Sequence, residues 1–105
     1  MITLLAAAIA TGAGNPAIEQ VTYGSNGAKT FQAAGATSAG AGAATVVIEV
    51  SNDGVNYLTL GTITLTLGTT ATSDGFAADS KWTYTRANVT AISGTNASVS
   101  VTMGA

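Results

Sequence analysis

Residues 46–68 read VVIEVSNDGVNYLTLGTITLTLG and carry two apolar alternations on either side of a turn signal. Val46, Ile48 and Val50 alternate with Val47 and Glu49, while Ile63, Leu65 and Leu67 alternate with Thr62, Thr64 and Thr66. A period of two puts the aliphatic residues on one face of an extended strand and the rest on the other. Between the runs stands Asn52-Asp53-Gly54. Asp-Gly supplies the positive φ that a tight hairpin needs, so strands over 45–51 and 56–67 are predicted to pair.

The same grammar extends outward. Ser25-Asn26-Gly27 separates 18–23 from 29–34, and Ser93-Gly94-Thr95-Asn96 separates 82–92 from 97–103, where Val99, Val101 and Met103 alternate with Ser98, Ser100 and Thr102. Three hairpin signals predict an all-β meander of antiparallel strands, each with an apolar face and a hydroxyl face. No helix is expected. The alanines of 33–44 are interrupted by Gly35, Gly40 and Gly42, which predicts a flexible loop. The stretches 35–44 and 68–80 are the two long connections.

Composition narrows the chemistry. The chain has 105 residues, a net charge of -2, and no cysteine or histidine, which excludes disulfides, thiolate zinc sites, an imidazole base and a Ser-His triad. Val, Ile, Leu and Phe supply 22 of the 105 residues, so the core is thin; only 8% of residues are charged, so repulsion does not hold the chain open. A small neutral domain rich in Gly, Ala, Ser and Thr suits close packing against other subunits, and an oligomer is expected. Three cations among five acids are too weak a field for nucleic acid or an anionic membrane.

The start, MITLLAAAIATGAG, is apolar over 2–10 but has no Lys or Arg before residue 19. It lacks the positive flank of a secretion signal and is too short to span a bilayer. Residues 1–17 are therefore expected to form an N-terminal strand or arm, opened by Ile2, Leu4 and Leu5, and 18–105 a single domain. The arm offers a strand that can close a neighbouring subunit's sheet edge.

Few residues offer chemistry. Gly40-Ala41-Gly42-Ala43-Ala44 has small-residue spacing but leads into a strand rather than a helix, unlike a dinucleotide turn. Glu19, Glu49, Asp53, Asp74 and Asp79 include two Asp-Gly pairs, Asp53-Gly54 and Asp74-Gly75, whose reading is turns rather than catalytic carboxylates. Asn52, Asp53 and Asn56 offer oxygens to calcium without EF-hand spacing. Nothing in the sequence forbids Ser-Lys catalysis through Lys29 or Lys81, and nothing points to it. Tyr57, Trp82 and Tyr84 are read first as core or interface, Trp82 and Tyr84 sharing strand parity; Tyr57 and Trp82 are the alternative sugar-stacking pair. Arg86, the only arginine, is the best candidate for a specific polar bond to an acidic partner. Ile2, Leu4, Leu5 and Arg86 are the candidate interface residues. No catalytic, cofactor-binding or metal-binding residue is assigned.

Residues 46–68 and 73–105 together resemble small structural proteins encoded by tailed bacteriophages. The likeness lies in S-N-D-G-x-N-aromatic, where that group often has Trp in place of Tyr57, in the later D-G-F, and in the W-x-Y-x-R-A-N-V run ending in an S-G-T hairpin. The resemblance implies an antiparallel β-sandwich or jelly roll with an extended N-terminal arm. It also implies a non-enzymatic capsid decoration or cement protein on the virion exterior, commonly a homotrimer, whose partners are its own copies and the phage major capsid protein, with no cofactor. The alternatives are a tail or fibre part or surface-displayed carbohydrate-binding module, and a secreted bacterial surface protein.

Overall fold

The apolar alternations are strands in the computed structural model, which describes residues 2–14, 17–18, 28–79 and 82–104. The Ser25-Asn26-Gly27 turn, Glu19 and Lys81 lie outside the described residues. Among the described residues nine strands follow one another: β1 (Ile2–Ala8), β2 (Gly12–Ala13), β3 (Ala17–Ile18), β4 (Ala28–Ala36), β5 (Ala39–Ser51), β6 (Leu58–Leu67), β7 (Thr72–Asp79), β8 (Tyr84–Thr95) and β9 (Ser98–Gly104). They form two antiparallel sheets, ordered β1-β9-β4-β7 and β2-β8-β5-β6, with β3 continuing β2 along β8.

The pairing follows one rule. The first half of the chain runs as a long antiparallel ribbon against the second half, with β1 on β9, β2 and β3 on β8, β4 on β7, and β5 on β6. The ribbon then wraps so that β9 also bonds β4 and β8 also bonds β5. This is the jelly roll, a β-sandwich that covers its core with two stacked sheets.

Period two builds that core. Val46, Ile48 and Val50 of β5, Ile63, Leu65 and Leu67 of β6, and Val99, Val101 and Met103 of β9 are all buried. Their neighbours Thr62, Thr64 and Thr66 are exposed, and Ser98, Ser100 and Thr102 half-buried. Phe31 is the largest buried side chain and meets Phe76 of β7 at 5.1 Å between ring centroids. Lys29 is buried on the same inward parity as Phe31 and is partnered there.

Four expectations change. The meander is wrong over the described residues, because among them β5–β6 is the one sequence-adjacent pair of strands that shares a ladder. The Ser93–Asn96 turn exists, with Asn96 at φ 50, but it carries the chain from one sheet to the other. Turn residues encode reversal, not which sheet receives the next strand.

The flexible loop over 33–44 is instead the end of β4, a two-residue bend at Thr37–Ser38, and the start of β5. Thr37 N–H donates to the Gly68 carbonyl, its hydroxyl donates to the Gly40 carbonyl, and Ser38 N–H donates to the Thr95 carbonyl. Small residues serve proximity here: a Cβ at Gly35 would stand 2.7 Å from the Ser98 carbonyl oxygen. The connection 68–80 likewise contains β7, and Asp74-Gly75 is no turn: Asp74 lies opposite Ala33 and Gly75 opposite Gln32.

The N-terminal arm folds onto its own chain. β1 pairs β9 through Ile2–Met103 and Thr3–Thr102. Leu4 is 3% exposed in the core and Leu5 packs against it, so neither is a free interface residue.

Candidate functional site

The polar residues that the sequence marked gather at the end of the sandwich where β5 leaves and β8 enters. Ser51 closes β5 and is buried. Its hydroxyl donates to Asp53 Oδ1 at 2.7 Å and accepts from the N–H groups of Asp53 and Gly54. Asp53 Oδ1 also accepts from the N–H groups of Val55 and Asn56, both at 2.8 Å, and Oδ2 accepts from Asn56 Nδ2 at 2.9 Å. The Asn56 N–H, then the Val55 N–H, hold the Asp53 carboxyl far below the usual carboxylate range. Gly54 takes φ +74 and lies over the Tyr84 ring. These bonds commit the Asp53 carboxylate to its own turn. Among the described residues no three acidic, histidine or cysteine side chains come together.

Tyr57 leaves this loop and lies under Arg86. The guanidinium carbon sits 3.7 Å from the ring centroid, a cation–π stack. Arg86 and Glu49 face each other across the β8–β5 ladder, and Arg86 Nε donates to Glu49 Oε1 at 2.8 Å. The two side chains are 28% and 17% exposed. Arg86 thus makes the specific polar bond to an acid that was expected of it, and the acid, Glu49, belongs to its own chain. Strand parity placed Glu49 outward in the sequence; the ladder register that sets it against Arg86 was not legible.

Tyr57, Trp82 and Tyr84 do not join the core cluster that Phe31 anchors. Tyr84 and Trp82 are half-buried, Tyr84 at the outward start of β8 and Trp82 just before it. Thr83 N–H donates to Asn52 Oδ1 at 3.4 Å, which ties the Trp82 segment to the loop. Arg86 occupies one face of the Tyr57 ring, so that face is closed to a stacked sugar. Tyr57 Oη and Thr85 Oγ1 are buried without a hydrogen-bond partner among the described residues. At the loop tip Val55 is 79% and Leu58 57% exposed.

A second surface emerges from register. Phe31, Ala33 and Gly35 point inward, so Thr30, Gln32, Ala34 and Ala36 line the outer face of the four-stranded sheet. Beside them stand Gly104, Thr102, Ser100 and Ser98 of β9, and Ala77, Gly75 and Ser73 of β7. From Thr30 to Ala36 this face has no charged residue and no side chain larger than glutamine. A face of such small side chains lets another surface approach the sheet closely over many small contacts. No protein-family model matches the chain, nor does any curated protein or solved structure.

Proposed function

We propose that this chain is a non-enzymatic structural protein of a tailed-bacteriophage virion, a decoration or cement protein that binds the exterior of the head shell as a homotrimer and stabilises it. The uncharged outer face of the four-stranded sheet carries this reading. Burying charged groups costs several kcal/mol each unless they are paired, whereas a face of Thr, Ser, Ala and Gly loses little on leaving water and gains roughly 25 cal/mol per Å² of apolar area. Each contact is weak, but trimer symmetry repeats it, and linked contacts reinforce one another. The resemblance of 46–68 and 73–105 to phage structural proteins supports the same assignment, and jelly rolls are a common scaffold of viral shells. The major capsid protein is the proposed shell partner. The packed clamp of Tyr57, Arg86 and Glu49 then serves to hold one end of the domain rigid.

Light scattering on the purified protein, alone and with undecorated capsids, followed by sedimentation, tests this directly. A trimer that co-sediments with shells is expected. Gln32→Glu places a charge at the centre of the uncharged face on an exposed side chain, and is expected to abolish co-sedimentation while the far-ultraviolet dichroism stays unchanged. A monomer that ignores capsids overturns the assignment.

A further inference from the structure

Both Asp-Gly pairs of the chain carry a latent reaction. The backbone nitrogen after an aspartate closes a five-membered ring on that aspartate's side-chain carboxyl carbon when the two atoms meet. Glycine, with no Cβ to shield its nitrogen, obstructs this least. The fold treats the two pairs differently.

At 53–54 every group the ring needs is engaged elsewhere. The Gly54 N–H donates to the Ser51 hydroxyl at 3.0 Å. Asp53 Oδ1 accepts from the Ser51 hydroxyl and from the N–H groups of Val55 and Asn56, and Oδ2 accepts from Asn56 Nδ2. These donors favour the ionised carboxylate, which resists attack because its leaving group would be oxide rather than water.

At 74–75 the reacting groups face each other. The Gly75 N–H donates to Asp74 Oδ1 at 2.8 Å, which holds the nitrogen beside the carbon bearing that oxygen. Both residues are exposed. β7 is the last strand of its sheet and, among the described residues, pairs with β4 alone. An edge strand with solvent-exposed ladder bonds opens locally at less cost than the core, and opening supplies the torsional freedom that ring closure needs.

We propose that Asp74-Gly75 is a site of spontaneous isomerisation, where β7 passes from an aspartyl to an isoaspartyl linkage through a succinimide, while the turn around Asp53 protects Asp53-Gly54. The Gly75 nitrogen bonds to Cγ of protonated Asp74, the Cγ–OH bond breaks, and the hydroxyl leaves with the nitrogen's proton as water. Water then adds to the ring carbonyl on the Cα side and the C–N bond there breaks. The chain now continues through Cβ, and the former backbone carbonyl is the free carboxylate. Composition and charge are unchanged, but the backbone has gained a carbon. The pairs Ser73–Ala34 and Thr72–Gly35 therefore no longer keep register with Phe76–Phe31. This site is independent of shell binding.

The test holds the full chain in warm neutral buffer, folded and in urea, and then cleaves it after Lys29 and Lys81. Both aspartates lie on fragment 30–81, apart from Asn26-Gly27, which is a separate source of isoaspartate. Electron-transfer fragmentation reads isoaspartate at each position. In urea the two sites are expected to react alike. In the folded chain, giving up even one charge-assisted hydrogen bond sets Asp53 back about tenfold relative to Asp74. A ratio that is the same folded and unfolded overturns the proposal, as does a folded chain in which Asp74 forms no isoaspartate while the chain in urea does. Ser51→Ala frees the Gly54 N–H and is expected to raise the product at 53 relative to that at 74. A ratio unmoved by that substitution overturns the protection assigned to the turn.

Discussion

The dipeptide Asp-Gly occurs at 53–54 and at 74–75, and the two copies fold in opposite ways. At 53–54 the chain reverses: Gly54 adopts φ +74, and the Asp53 carboxylate collects the N–H groups of Val55 and Asn56. At 74–75 the chain runs straight through β7, with Gly75 paired to Gln32 of β4. A Cβ on Gly75 would collide with the Phe31 carbonyl oxygen. One glycine answers to torsion and the other to space. What decides between them lies at different distances in the sequence. Ser51 and Asn56, which complete the first turn, are within three residues of Asp53, whereas β4, which straightens the second pair, belongs to a distant part of the chain.

The largest effect is expected from Gly75→Ala. The added methyl group meets backbone rather than a movable side chain, so β7 must shift from β4, at a cost of about 2–3 kcal/mol. Thermal unfolding followed by circular dichroism should register a fall of roughly 10–20 °C. Gly75→Asn should be no better than alanine, since asparagine relieves torsion and not crowding. If asparagine restores stability relative to alanine, space is not the constraint at 75.

Gly54→Ala comes next, at about 1–2 kcal/mol, the ordinary penalty of a left-handed torsion for a residue with a Cβ. The Tyr84 ring, 3.2 Å from that Cβ, must also yield slightly. Here asparagine is expected to recover part of the loss, because it tolerates positive φ better than alanine. The order of Ala and Asn at 54 against their order at 75, read by the same melting experiment, separates a torsional glycine from a spatial one.

The same division marks how much was legible beforehand. The strands over 45–51, 56–67 and 97–103 were legible because a period of two is written within each strand, as Val46, Ile48 and Val50 show. The turn at 52–54 was legible because its bonds are local. β7 was not, because what straightens Asp74-Gly75 is β4. Nor was the bend at Thr37–Ser38: it has neither glycine nor asparagine, and it is fixed by the carbonyls of Gly68 and Thr95. Arg86 stood out as a lone arginine, but Glu49 became its partner through a ladder register set by the whole of β5 and β8. The uncharged face of the four-stranded sheet depends on register in the same way, since Gln32 joins Thr102 and Gly75 only once β4 lies between β9 and β7.

The smallest effects concern the aspartates and sharpen the contrast through pH. The backbone and side-chain donors around Asp53 depress its folded-state pKa below the ordinary carboxylate value of 3.8. A depressed carboxylate contributes stability that is complete above the unfolded-state value and is lost as pH falls through the folded-state one. Asp53→Asn should therefore lower the melting temperature near neutral pH. The gap between variant and parent should close progressively as the pH drops below 3.8. Asp74 Oδ1 accepts from the N–H of Gly75 beside it, at an exposed position. Asp74→Asn should stay within about 0.5 kcal/mol of the parent at neutral pH. A melting series of both variants from neutral to acid decides the matter. A neutral-pH loss for Asp74→Asn as large as that for Asp53→Asn would mean that the second carboxylate also holds its backbone in place, and the two Asp-Gly pairs would differ in shape but not in what their acids do.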